Sequence, residues 1–190
     1  MAKRVFFSFH YRDVIDFRAN VVRNHKTTKH ESAGYFDASL WEKTKRESDL
    51  ALKRLINGGL NNTSVTAVLI GTSTYSRRWV RYEIAKSFEK GNKLIGIHIN
   101  GIADKNGRTK TRGLNPFDYM GVEISDDGKK LTLIEKKTNW IYYEDLSGWT
   151  VNITDKNMWG KVYTLRDCLN IKTYDWINNN GYKNFENWIV

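Results

Sequence analysis

Glu83 is the residue whose surroundings most clearly allow chemistry. It follows an apolar run, Thr66–Gly71, that predicts a buried strand, and it lies in a segment that predicts a helix opening near Ser76. Val80 and Ile84 form the core face of that helix, and Glu83 is one position away from them. Ligands of open α/β sheets bind at the carboxyl ends of strands, so a carboxylate here could transfer a proton or stabilise positive charge.

The elements that must position Glu83 alternate along the first half of the chain. Apolar runs at Arg4–His10 and Lys93–Asn100 predict two further strands, and helical patterns separate the runs. Such alternation is typical of a mostly parallel sheet covered on both faces. We therefore predict an α/β fold, a flavodoxin-like three-layer sandwich with four or five strands in its sheet, plus a C-terminal extension.

The sequence also predicts two helices and a short strand between the first two long strands. Asp13–Asn24 predicts a helix with Asp13 as its N-cap, and Lys45–Asn57 predicts a helix that stops at Gly58 and Gly59. The predicted buried face of the first helix comprises Val14, Phe17 and Val21. Gly34–Ala38 predicts a short strand between these two helices.

The second half of the chain has weaker patterns. Tyr119–Ile124 predicts a fifth strand, and Leu131–Ile134 with Trp140–Tyr143 predicts a hairpin at the sheet edge. Tyr174–Gly181 predicts a helix closed by a glycine cap. We expect residues 1–125 to form the α/β domain and residues 126–190 to form an extension packed on it.

The charge of the chain is uneven. The whole chain carries 31 Lys and Arg against 21 Asp and Glu, a net charge of +10, and residues 1–120 hold 22 of the basic residues against 11 acidic ones. A basic surface could attract nucleic acid or another polyanion such as a dinucleotide, and it could equally be a solvated surface. No helix-turn-helix, zinc-finger or RNA-binding signature accompanies the charge, which makes nucleic-acid binding the less favoured option.

Other classes of protein and site lack support in the sequence. No apolar run is as long as a membrane span, and the single Cys168 suits a reducing compartment, so we expect a cytoplasmic protein. His25 and His30 lack the spacing of helical metal ligands, which predicts no metal site. Neither a Gly-rich phosphate loop nor a Gly-x-Gly-x-x-Gly motif is present, so we expect no bound cofactor.

Four segments in order resemble the TIR domains. Val5–Phe9 is similar to their first strand, Tyr35–Asp37 to their second, Val68–Glu83 to their third strand with a Trp-x-x-x-Glu helix, and Gly91–Ile97 to their fourth strand. The ordering and spacing match over residues 4–100. Within that group, the sequence most resembles the TIR-like ThsB family of the bacterial Thoeris anti-phage system.

The resemblance implies a specific reaction. Enzymes of this kind cleave the bond between nicotinamide and ribose in NAD, and ThsB-type members make a cyclic ADP-ribose isomer that activates a ThsA effector. Glu83 matches the catalytic glutamate. Ser8 and Phe9 match positions that line the nucleotide pocket, Asp37 lies at the end of the second strand, and Trp79 precedes Glu83 by one helical turn. NAD is then a substrate rather than a cofactor.

Alternatives remain at this stage. Glu83 could be a solvated surface residue, Phe9 and Trp79 could be core aromatics, and Asp37 could cap a turn. The chain could also be a non-catalytic TIR-like scaffold, because a fold does not certify an activity. The acceptor could be water or a hydroxyl of NAD itself. A phage-derived trigger and a homo-oligomer are further expectations from the resemblance.

Overall fold

A computed structural model describes residues 4–25, 43–44 and 46–190. The chain forms two compact units, one made of Met1–Gly113 with Thr173–Val190 and the other of Leu114–Lys172. The strands, in chain order, are β1 (Val5–Phe9), β2 (Val65–Ile70), β3 (Lys93–His98), β4 (Met120–Ile124), β5 (Lys130–Lys136), β6 (Trp140–Tyr142), β7 (Trp149–Thr150), β8 (Val162–Thr164) and β9 (Thr173–Asp175). The helices are α1 (Arg12–Ile15), α2 (Arg18–Arg23), α3 (Asp49–Leu60), α4 (Arg78–Lys90), α5 (Leu165–Leu169) and α6 (Gly181–Trp188).

The first unit contains a parallel sheet. Its strands lie in the order β1-β2-β3-β9, and each neighbouring pair is parallel. Ser8 of β1 is opposite Val68 of β2, and Ile70 of β2 is opposite His98 of β3. The carboxyl ends of β1, β2 and β3 therefore meet at one edge of the sheet, as predicted.

Helices cover both faces of this sheet. Val5 and Phe7 of β1 are buried in one core with residues of α2 and α6, whereas Phe6 is buried in another with residues of α3 and α4. Alternate residues of a strand point to opposite faces, so β1 feeds two separate cores. The predicted three-layer α/β fold with a mostly parallel four-stranded sheet is confirmed.

The helix before β2 begins and ends later than predicted. Ser48 is its N-cap, and the Ser48 side chain accepts a hydrogen bond from the Ala51 N–H at 3.0 Å. Gly58 and Gly59 do not stop the helix, which continues to Leu60 because the Leu60 side chain is buried in the core. Burial of an apolar side chain outweighs the helix cost of glycine, about 1 kcal/mol per residue.

The segment after β1 is broken into two helices, not the one predicted. Phe17 adopts a left-handed backbone, with φ of 63°, between α1 and α2. The break turns the following helix, so the buried residues of α2 include Ala19 and Val22, whereas Phe17 and Val21 are exposed. Asp13 is also not an N-cap, since α1 begins one residue before it.

The second unit is an antiparallel sheet. β4, predicted as a fifth strand of the parallel sheet, instead pairs antiparallel with β5 and β8. β5 and β6 form the predicted hairpin, but within this second sheet rather than at the edge of the first. Antiparallel strands need only short connections, which suits the close spacing of these strands in the sequence.

The last segment of the chain belongs to the first unit. The predicted helix at Tyr174–Gly181 is wrong, because Thr173–Asp175 forms β9 and pairs with β3. The Asp175 carboxylate accepts hydrogen bonds from the N–H groups of Ile177 and Asn178, which turns the chain after the strand. Helix α6 begins at Gly181 instead of ending there. These units also differ from the predicted division at residue 125.

Some predictions fall outside the described residues, among them the strand at Gly34–Ala38. Among the helices of the described ranges, none is long and apolar enough to cross a membrane. No set of three or more His, Cys, Asp or Glu residues in the same ranges is grouped as metal ligands would be.

Candidate functional site

Ser8 and Glu83 form a buried pair between β1 and α4. The Ser8 hydroxyl donates a hydrogen bond of 2.5 Å to the Glu83 carboxyl. Only 5% of Glu83 and none of Ser8 is exposed. Ser8 alternates with Phe7 along the strand and therefore points to the face that α4 covers. The predicted strand exit and the predicted glutamate are thus brought into direct contact.

The Glu83 carboxyl has an unusual ionisation. Burial raises the pKa of Glu83 from 4.5 to about 8, and the hydrogen bond from Ser8 opposes this rise. The carboxyl is therefore mostly neutral at pH 7 in the protein alone. A cation beside the carboxyl would favour the ionised form and lower the pKa again. The charge of Glu83 therefore depends on whether a cation is bound beside it.

A chain of buried polar groups fixes α4 over β2. The Ser87 hydroxyl donates to the backbone carbonyl of Glu83 at 2.7 Å and lies 2.8 Å from the Thr66 hydroxyl. The Asn92 amide donates to Thr66 at 3.2 Å and to Thr63 at 2.9 Å. Buried polar groups that are all hydrogen-bonded hold their elements in one arrangement. The turn of helix that carries Glu83 is therefore fixed in register with the sheet.

Trp79 lies one helical turn before Glu83. Its ring packs against the core formed by Phe6 and the helices α3 and α4, with its centroid 5.9 Å from the Tyr82 ring. The Arg78 guanidinium lies 4.8 Å from the centroid of the Trp79 ring. These contacts give Trp79 a packing role beside the site, and contact with a substrate stays a prediction.

Phe9 is not brought to the Glu83 face. Its half-buried ring packs against the opposite core, and the Arg23 guanidinium lies 5.4 Å from the ring centroid. Phe9 follows Ser8 directly in β1, so the two side chains point to opposite faces of the sheet. Asp37, the fifth predicted site residue, lies outside the described residues.

A second buried carboxyl lies at the same sheet end and was not predicted as a site residue. Only 4% of Asp13 is exposed, and burial raises its pKa to about 6. A Cβ atom on Gly71, at the exit of β2, would overlap the Asp13 carboxylate. The sequence signal for Asp13 is weak, because an Asp near the start of a helix also fits a cap.

His98, at the end of β3, is a third buried ionisable residue that the sequence did not single out. Burial, and then the positive charge of Arg112, lowers the pKa of His98 to about 4, while Asp175 acts in the opposite direction. His98 is therefore neutral at physiological pH. Its position at the end of a strand of apolar residues resembles an ordinary core position, which conceals it in the sequence.

Comparison with known proteins identifies the family. The profile of "Thoeris protein ThsB, TIR-like domain" matches residues 6–104. The chain belongs to this ThsB TIR-like family. The match contains all five predicted site residues: Ser8, Phe9, Asp37, Trp79 and Glu83. A relative in Bacillus cereus (strain MSX-D12), named "Putative cyclic ADP-D-ribose synthase ThsB1", is 60% identical over 193 residues that cover 100% of both chains. The ThsB family resemblance thus extends to the second unit.

Proposed function

We propose that this chain cleaves the bond between nicotinamide and ribose in NAD, with Glu83 as the catalytic residue. The observation that carries the proposal is the buried hydrogen-bonded pair of Ser8 and Glu83 at the sheet end. The name of the Bacillus cereus relative, which describes a cyclic ADP-D-ribose synthase, supports the same substrate. The burial of the pair is essential to this proposal, because a solvent-exposed Glu on a helix would be an ordinary surface residue.

In this reaction Glu83 would act as an ionised carboxylate rather than as a proton donor. Nicotinamide leaves with the bonding electrons as a neutral molecule, so it requires no proton. The ribose carbon becomes oxocarbenium-like, and an ionised Glu83 facing that carbon would stabilise the developing positive charge. A hydrogen bond from the Glu83 carboxylate would also orient a ribose hydroxyl. Ser8 would hold the carboxyl in place.

The substrate itself would supply the ionised form. NAD carries a positive charge on its nicotinamide ring, and a positive charge next to Glu83 lowers the pKa of the carboxyl. Glu83 would be largely neutral before NAD binds, since its pKa is about 8, and ionised afterwards. Burial that is costly in the free protein would then strengthen the interaction of the charge with the transition state.

The acceptor decides the product. Water that attacks the ribose carbon and loses a proton yields ADP-ribose, whereas a hydroxyl of the same molecule yields a cyclic product. We propose the cyclic product, because the relative is named a synthase of cyclic ADP-D-ribose. Cyclisation needs a folded substrate and a site that excludes water.

The partners follow from the same proposal. A cyclic nucleotide would diffuse to a ThsA-type effector in anti-phage defence, and a phage-derived component would trigger its synthesis. We also propose a homo-oligomer, a cytoplasmic location and no resident cofactor. These proposals rest on the family rather than on a surface of this chain.

Nicotinamide release from NAD tests the proposal. We expect release by the wild-type protein, measured in extracts of phage-infected cells and with purified protein, and a fall of about 100-fold or more in Glu83→Gln. Glu89→Gln is the matched control, because Glu89 lies on the same helix but is exposed and pairs with Lys86. Release that survives in Glu83→Gln would remove Glu83 from the mechanism. A wild-type protein without release in both settings would favour the non-catalytic scaffold.

The pH profile separates a carboxylate from an acid. We expect kcat/KM to rise with pH towards a plateau above about pH 8, because kcat/KM reports the free enzyme and Glu83 has a pKa of about 8 there. The rise in kcat should occur at lower pH, since bound NAD stabilises the ionised form. A kcat/KM that falls as pH increases through 8 would mean that the protonated carboxyl is the active form.

A further inference from the structure

Three segments of the first unit come together around Asp13. The first is the start of α1, which contains Asp13 itself, the second is the exit of β2 at Gly71–Thr74, and the third is the loop 100–113, whose Lys110 acts on the Asp13 charge. Only 4% of Asp13 is exposed there. A buried carboxyl is costly unless its neighbours compensate it, so its contacts need an explanation.

Asp13 is in direct contact with the exit of β2. Its carboxylate occupies the space that a side chain on Gly71 would fill, so this position requires glycine. The buried Thr74 hydroxyl hydrogen-bonds Asp13 and accepts a hydrogen bond of 2.9 Å from the Gly71 N–H. Asp13 thus joins the two residues that begin and end the turn leading out of β2.

The loop 100–113 is hydrogen-bonded to residues on both sides of this contact. Arg18, 1% exposed, donates to the backbone carbonyls of Ile102 at 2.8 Å and Arg108 at 2.6 Å. The Thr72 hydroxyl donates to the carbonyl of Thr111 at 2.8 Å. The charged groups that act on Asp13 are Lys110 and Arg18, which favour its ionised form, and Asp16, which opposes it. The loop 100–113 is therefore tied to α2 and to the exit of β2, and its Lys110 supplies part of the charge that acts on Asp13.

These contacts lie on the segments that follow Ser8 and precede Glu83 in the chain. Ser8 lies five residues before Asp13, at the end of β1, and Glu83 lies on the helix that the exit of β2 leads into. We propose that Asp13 is a positioning residue: by holding the exit of β2 against the exit of β1, it keeps Glu83 on Ser8. This inference rests on the proposed function for its effect on NAD cleavage, but the placement of Glu83 can be measured without it.

Three variants test the positioning role. Asp13→Ala removes the contact, Thr74→Val removes its hydrogen-bond partner, and Asp13→Asn keeps an oxygen for Thr74 but cannot ionise. We expect Asp13→Ala to lower kcat by about 10- to 100-fold with little change in KM, because a small displacement of a catalytic group is costly. Thr74→Val should have the same effect, and the double variant should be no worse than either alone. Asp126→Ala is the control, since Asp126 is exposed in the second unit.

Asp13→Asn should recover only part of the kcat lost in Asp13→Ala, because Asn keeps an oxygen for Thr74 but loses the negative charge that Lys110 and Arg18 stabilise. It should also remove a step near pH 6 from the wild-type pH profile, because Asp13 has a pKa of about 6 and its ionised form is held by Lys110 and Arg18. A residue that only stabilises the fold would not move this step. If Asp13→Ala is folded and its kcat equals that of the wild type, the positioning role is wrong. If Asp13→Asn is as inactive as Glu83→Gln, Asp13 acts on the substrate and the positioning role is also wrong.

A second measurement does not depend on NAD. The carboxyl ¹³C shift of Glu83 should titrate near pH 8 in the wild type and move towards its ordinary value of 4.5 in Asp13→Ala and Thr74→Val, because a displaced Glu83 gains water. An unchanged Glu83 titration in both variants overturns the inference whether or not the protein cleaves NAD. A shifted titration in a protein that releases no nicotinamide supports the positioning of Glu83 and contradicts the proposed function instead.

Discussion

The two units of this chain differ in what they bury. The parallel-sheet unit buries Asp13, Glu83, His98 and Asp175 near the carboxyl ends of its strands, and it also buries His25 and several arginines. In the described part of the antiparallel unit, Glu135 is the one buried Asp, Glu, His, Lys or Arg, and its partner is Lys137 at 3.4 Å. Buried ionisable groups cost free energy, so their accumulation at one sheet end indicates a site, whereas the second unit has the interior of a packing element.

The family match follows the same division. Residues 6–104 lie entirely within the parallel-sheet unit, but the relative from Bacillus cereus aligns over the whole chain. The family profile therefore matches only the parallel-sheet unit, and the antiparallel unit is shared with the Bacillus cereus relative. A variant in each unit should show what that unit contributes to stability and to the cleavage of NAD.

The largest expected effect is a loss of stability when the segment after the second unit can no longer pack in the core of the first unit. Phe185 is fully buried and its ring centroid lies 6.1 Å from that of Phe7 and 5.8 Å from that of Trp176. We expect Phe185→Ala to lower the free energy of unfolding by about 3–5 kcal/mol in urea denaturation. Val190→Ala, at an exposed side chain, should change it by less than about 0.5 kcal/mol. Equal stabilities of the two variants would mean that the first unit does not depend on its C-terminal segment.

The next effect sharpens the contrast between the buried carboxyls of the two units. The pKa of Glu83 is about 8 in the folded protein against an ordinary 4.5, so its contribution to stability is full below pH 4.5 and is lost as pH rises through 8. We expect the free energy of unfolding of the wild type to fall relative to that of Glu83→Gln between pH 5 and pH 9, by on the order of a few kcal/mol, which urea denaturation at each pH measures. Glu135→Gln keeps Glu83 and should therefore show the same fall as the wild type. Parallel curves for Glu83→Gln would contradict the burial of the carboxyl.

The smallest effect tests whether the second unit can be perturbed alone. Gly128 has φ of 67° in the turn between β4 and β5, and a Cβ there would overlap the Trp159 indole. We expect Gly128→Ala to cost about 1–3 kcal/mol of stability and to leave nicotinamide release from NAD within about threefold of the wild type. Gly58→Ala is a matched control, because a Cβ at Gly58 has open space around it. A larger loss of activity in Gly128→Ala would give the second unit a part in the reaction.

The sequence predicted the first unit better than the second because local patterns determine most of it. The runs around Val5–Phe9, Val65–Ile70 and Lys93–His98 are long and apolar, and each forms a strand close to its predicted bounds. The contact between Ser8 and Glu83 follows from those strands and from the helix after them. The family resemblance supplied the role of Glu83, which the pattern alone left open.

What the sequence did not predict depends on contacts between distant residues. β9 has three residues, Thr173, Tyr174 and Asp175, and no periodicity distinguishes so short a strand from a helical turn. It pairs with β3, although the whole second unit separates the two strands in the sequence. The burial of Asp13 depends likewise on Gly71, and the exposure of Phe17 depends on a left-handed backbone that its residue type disfavours.

Because the chain returns to its first sheet after the second unit, the parallel-sheet unit cannot be completed early in synthesis. β9 and α6 are made after the whole second unit, and until they are made β3 has an unpaired edge and the core around Phe7 lacks Phe185. Ser8 and Glu83, in contrast, are synthesised early. We therefore expect a nascent chain to hold both members of the pair before the scaffold around them is finished, so that the site is complete only after the residues that follow the second unit have been made.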